Sequence, residues 1–184
     1  MINMITELDS LIERLIYERS SAERKKIALM ISEYGEAAID PLLQAIDRTW
    51  ETIDIDTDMF IFDALWYTYQ NVGLRPFERI LMDKNNSFRK YLPNKLAGFK
   101  EDDVIEVMGK ALKNEDDGIY QTRLIAGLGQ TDNKMVIPFL QQYENHENLE
   151  VSYLAKFWIA MIEGKELPPK PSGLEWDDYE GGHI

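Results

Sequence analysis

The chain has 184 residues, 45% of them hydrophobic, and no cysteine. That length can bury a substantial core and that composition describes a folded domain, while the missing cysteines exclude disulfides, thiolate metal sites and cysteine nucleophiles. A formal net charge of −13 with a pI near 4.6 repels nucleic acid and anionic lipid and favours a basic partner.

Helical periodicity runs through nearly the whole sequence. Ile5, Leu8, Ile12 and Leu15 predict a helix over about 3–18, and Ile27, Ala28, Ile31 and Tyr34 a second over about 21–34. Ile39, Leu42, Leu43 and Ile46 follow the i, i+3, i+4, i+7 rule. Ile61, Leu65, Thr68 and Val72 give a stripe that ends at Gly73, and Phe77, Ile80 and Leu81 a short helix after Pro76. Phe88, Tyr91, Leu92 and Leu96 lie on a helix that Pro93 is expected to kink or shorten. Val104, Met108 and Leu112 share a face. So do Tyr120, Leu124 and Leu128, then Val136, Phe139, Leu140 and Tyr143, then Leu154, Phe157, Trp158 and Met161. No segment alternates as a strand would.

The helices pair in order into five units. A phrase recurs: Glu36-Ala37-Ala38-Ile39-Asp40-Pro41-Leu42-Leu43 returns in altered form at Asp132–Leu140 and again at Asp102–Lys113. Gly35, Gly73, Gly98, Gly129 and Gly164 punctuate the array at a repeat-scale spacing and suit helix C-caps. Two segments break it. Residues 48–57 read as a long acidic connection containing Trp50 and Glu51, and the tail from Lys165 mixes prolines with Glu175-Trp176-Asp177-Asp178-Tyr179-Glu180.

On these residues the chain resembles the HEAT-repeat family, most strongly over 24–47 and 101–143. The resemblance implies an all-α fold: a right-handed α-α superhelix, a HEAT-like solenoid of about five helix pairs over residues 1–164, with a non-helical tail over 165–184. It also implies that the second helix of each pair lines a concave face, offering Trp66, Tyr67, Tyr69, Tyr91, Tyr120, Tyr153 and Trp158. The arginine common early in such second helices is present only as Arg24; Gln121 and Ser152 take its place later, so a regular ladder of ion pairs is not expected. Leu42, Leu43, Leu128, Phe139 and Leu140 are expected in the core.

Motif chemistry is sparse. Asp54-Ile55-Asp56-Thr57-Asp58 opens like a calcium loop, but Met59 stands where the bend glycine belongs and Leu65 where the bidentate glutamate belongs. His146 and His183 are too few and too far apart in sequence to predict zinc. Asp63, within Phe60–Tyr67, is the most unusual carboxylate, since burial beside aromatics would raise its pKa, but a residue on the solvent-facing side of the helix is the favoured explanation. No catalytic, metal or cofactor residue is expected. The reading that follows is a non-enzymatic, cytoplasmic protein-binding module, in the manner of an acidic inhibitor or immunity-type protein that neutralises a basic protein; the Met1–Glu7 segment lacks a secretory signal pattern, and no run reaches the roughly 20 apolar residues of a membrane span. The alternatives are a nucleic-acid-acting enzyme of the HEAT-like DNA glycosylase type, which the net charge opposes, and a general assembly scaffold. The expected partner-binding residues are Trp50, Glu51, Asp54, Asp56, Asp58, Glu101, Asp102 and Asp103, with Trp176, Asp177, Asp178 and Tyr179 from the tail.

Overall fold

Short connections force successive helices to double back on each other, and this decides the architecture. The computed structural model describes residues 2–49, 55–99 and 101–172; side chains are described in that range except at 2–6, 47, 49 and 55–58. The described residues form ten α-helices, three 3-10 turns and no strand. They divide into two compact units, Met1–Lys95 and Leu96–Ile184.

The first unit opens with α1 (Ile2–Tyr17) and α2 (Ser21–Ser32), joined by three residues. A 3-10 turn at Gly35–Ala38 leads into α3 (Ile39–Thr49), and α4 (Ile55–Val72) follows. Gly35 must adopt φ +60, a left-handed conformation that glycine enters without penalty. α2 packs chiefly against α4. The guanidinium of Arg24 lies 5.1 Å from the Phe60 ring centre, and Asn71 Nδ2 donates to the Ser32 carbonyl at 3.0 Å. Both contacts advance in the same direction, so α2 and α4 run parallel and the second hairpin stacks on the first. The core between them is Ile27, Ile31, Ile39, Leu42, Leu43, Ile46, Ile61 and Leu65, each at most 1% exposed. After α5 (Arg75–Met82), the expected helix over 88–96 divides. Ser87–Lys90 is a 3-10 turn and α6 spans Leu92–Ala97. Pro93 sits in the first turn of α6, where its missing N–H is least costly, so it starts a helix and does not kink one.

The second unit repeats the scheme with α7 (Asp102–Lys113), α8 (Gly118–Gln130), a 3-10 turn at Lys134–Val136 leading into α9 (Ile137–Gln141), and α10 (Leu149–Glu163). α8 packs against both α7 and α10. Asn133 Nδ2 reaches Asp102 Oδ1 at 3.4 Å, and the Tyr143 hydroxyl donates to the Leu112 carbonyl at 2.8 Å; each pair is 31 residues apart. Two glycines set the approach of the helices. A β-carbon on Gly109 would overlap the Phe139 ring, and one on Gly129 would overlap the Trp158 indole. Gly129 is thus a packing glycine inside α8 and not a cap. The left-handed residue that precedes the Lys134–Val136 turn is Asp132, at φ 52. Of the expected core residues, Leu42, Leu43, Leu128 and Leu140 are fully buried. Phe139 is half-buried, because its ring lies over Gly109.

Three of the connections, those leading into α2, α8 and α10, are built by one recurring device. Glu18 Oε1 accepts from the Ser20 and Arg19 amides, Ser20 caps α2, and Arg24 Nη2 donates back to the Ile16 carbonyl at 3.4 Å. In the second unit, Glu115 Oε1 accepts from the Asp117 amide, Asp117 caps α8, and Gln121 Nε2 donates to the Glu115 carbonyl at 2.8 Å. His146 Nδ1 accepts from the Asn148 amide, Asn148 caps α10, and Ser152 Oγ donates to the Glu144 carbonyl at 2.6 Å. Arg24, Gln121 and Ser152 are all buried. In place of an ion-pair ladder, each satisfies a carbonyl on the approach to its own helix: that of Ile16 in the last turn of α1, and those of Glu115 and Glu144 in the connections after α7 and α9.

Candidate functional site

Of the sequence-predicted partner-binding residues, the described ones lie at helix N-termini. Glu101 precedes α7 with extended backbone, and Asp102 and Asp103 occupy its first turn. All three are exposed. Carboxylates there complement the helix dipole, so a local structural role accounts for part of the acidity. Asp102 is further tied to Asn133, whose Oδ1 caps the following 3-10 turn at Met135 N. Asp56 and Asp58 lie in the first turn of α4, so the acidic connection is shorter than expected: α3 continues through Thr49 and α4 begins at Ile55. Their side chains, and Trp50, Glu51, Asp54, Trp176, Asp177, Asp178 and Tyr179 as a whole, lie outside the described residues.

The surface formed by α2 and α4 has more distinctive chemistry. Asp63, Trp66 and Tyr67 are half-buried on α4, and Met59 is 55% exposed one turn before Asp63. Leu29 on α2 is 44% exposed. The parallel contacts of the two helices bring Lys25 and Leu29 alongside Asp63 and Tyr67. Burial pushes the Asp63 carboxyl above the usual carboxylate range, and the Lys25 charge opposes that shift only in part. Among the described residues, Asp63 makes no hydrogen bond and no ion pair within 4.0 Å. Trp66, one turn after Asp63, stacks on Tyr69 with ring centres 5.4 Å apart.

The second helices of the other unit present a different face. Leu149, Tyr153, Phe157 and Met161 recur every fourth residue on α10; Leu149 is 67% and Met161 50% exposed, while Tyr153 and Phe157 are half-buried with ring centres 6.2 Å apart. Lys156, on α10 beside Phe157, and Ile119 of α8 are exposed in the same unit. Of the aromatics expected on the second-helix surface, Tyr69, Tyr91 and Tyr120 are core residues, and Trp66, Tyr67, Tyr153 and Trp158 are half-buried. Periodicity did not single out Leu29, Met59 or Leu149 as exposed, because both helix faces carry apolar residues.

Among the described residues no group of three or more acidic or histidine side chains is placed to hold a metal ion, and no helix is long and apolar enough to cross a membrane. No protein-family model matches the chain, and no curated protein matches it.

Proposed function

We propose that this chain is a non-enzymatic protein-binding module with HEAT-like helical hairpins, acting as an acidic inhibitor of immunity type on a basic protein in the cytoplasm. The observation that carries the reading is the α2–α4 surface, where exposed Met59 and Leu29 and half-buried Trp66 and Tyr67 lie about the Asp63 carboxylate, which has no ion-pair or hydrogen-bond partner among the described residues. Large apolar side chains left partly in water around one desolvated charge are the ingredients of a protein-binding hot spot. The net charge of −13 adds long-range attraction for a basic protein and accelerates encounter.

The reading is tested by two measurements run together. Capture from a host lysate at low salt, followed by mass spectrometry, is expected to recover a basic protein that is released as salt rises. Titration with duplex DNA at the same salt is expected to show no saturable binding. Micromolar duplex affinity with a steep salt slope would favour the nucleic-acid reading instead.

A further inference from the structure

Among the described residues, the carboxylate in the groove between α2 and α4 has no counter-ion in contact. Asp63 sits on the shoulder of α4 that faces α2, one turn after Met59 and one turn before Tyr67. It is half-buried, yet among the described residues nothing donates to it. The nearest cation, Lys25, influences it electrostatically but does not form an ion pair within 4.0 Å. A carboxylate in that state has lost hydration and gained little in return. Part of the desolvation cost of binding an incoming cation has therefore already been met by folding.

We propose that the α2–α4 groove is the binding site for a single cationic side chain, arginine or lysine, presented by the basic protein partner. Asp63 is the anchor for the cation. Tyr67 and Trp66 offer aromatic faces that attract the same charge. Leu29 and Met59 form apolar walls along the aliphatic stem that such a side chain carries. Lys25, at the rim, is exposed and flexible enough to move aside. Arginine suits the site better than lysine, since its planar head both stacks on a ring and donates twice to one carboxylate. The burial that raises the Asp63 pKa is the physical trace of the same withdrawal from water.

The inference rests on the protein-binding reading but is tested without the natural partner. The probe is the capped tripeptide acetyl-Leu-Arg-Leu-amide, titrated into the full 15N-labelled chain at low ionic strength and followed by amide chemical shifts. Its neutral analogue, with citrulline in place of arginine, tests for charge without any change to the protein. Saturable shifts are expected at Lys25, Leu29, Asp63 and Tyr67 and at the Trp66 indole. Apparent affinity is expected to fall about fivefold or more in Asp63→Asn and with the citrulline peptide, and to be unchanged in Glu106→Gln, an exposed acid on α7. Shifts scattered over all acidic surfaces, equal binding of the citrulline peptide, or equal binding by Asp63→Asn would overturn the site. Any of these, with salt-dependent capture of a basic protein intact, removes the groove and leaves the protein-binding reading standing. Failure of capture alone removes that reading while the titration still reports on the groove.

Discussion

Gly129→Ala separates a packing glycine from an ordinary helical one. In an unhindered helix interior the substitution stabilises by up to about 1 kcal/mol, because alanine loses less backbone entropy. Here the new β-carbon would overlap Cγ, Cδ2 and Cε2 of Trp158, the fused core of the indole and not its free edge. The ring cannot rotate away from such an overlap about its own bonds. It must translate, and it is held edge-on by Phe157, with ring centres 5.3 Å apart. Overpacking costs about 1–3 kcal/mol, and an overlap with the fused atoms of a ring belongs in the upper half of that range, so after the helix-propensity gain of about 1 kcal/mol the net loss is about 1–2 kcal/mol. For a chain of this size 1 kcal/mol moves Tm by about 2–4 °C, which gives a fall of about 2–8 °C. Calorimetry of the wild type, Gly129→Ala, Trp158→Leu and the double variant provides the assay. The double variant should lose less than the sum of the two single losses, since removing the indole leaves room for the methyl group. A rise in Tm for Gly129→Ala, or strict additivity, would refute the stacking of α10 on α8 through this contact.

Three further outcomes follow from local chemistry. The folded-state pKa of Asp63 is raised above its unfolded value, so its contribution to stability is fully present below the unfolded pKa and is lost as pH rises through the folded one; Asp63→Asn should therefore gain in Tm over the wild type as pH rises from acid to neutral, and a gap that is constant or reversed would mean that the Lys25 charge outweighs burial. Gln121→Ala leaves the Glu115 carbonyl without its donor and should cost about 1–3 kcal/mol in chemical denaturation, whereas a loss within a few tenths would show that the turn device contributes little. Asp132→Gly relieves a left-handed residue at φ 52 and should stabilise by about 0.5–1 kcal/mol, measured as a shift in denaturation midpoint without a change in slope.

Hydrophobic periodicity located all ten helices in order, because each buries one stripe and the stripes follow the helical repeat. It identified Leu42, Leu43, Leu128 and Leu140 as core for the same reason. The recurring turn device stayed hidden because its residue types change while their roles persist. A carboxylate or an imidazole nitrogen accepts the cap amide, serine, aspartate or asparagine caps the helix, and a guanidinium, amide or hydroxyl satisfies the carbonyl. Gly129 was misassigned as a cap because glycine answers two different needs, a left-handed backbone and a close approach, and sequence does not distinguish them. The left-handed role falls instead to Asp132, one of the few other residue types that tolerate it. At the candidate site, Asp63 was visible as an unusual carboxylate among aromatics. Its neighbours on α2 were not, since only the parallel stacking of α2 on α4 brings Lys25 and Leu29 alongside it.

The proposed recruitment of a basic protein by the net charge of −13 is tested most directly by the association rate of the captured partner as a function of ionic strength. Stopped-flow or surface-based kinetics would compare the wild type with the triple reversal Glu101→Lys, Asp102→Lys and Asp103→Lys, all at exposed positions. The on-rate is expected to fall steeply with added salt, and the reversal variant to associate more slowly at low salt and converge on the wild type as salt rises. An on-rate that is indifferent to salt, and to the reversal at low ionic strength, would contradict it.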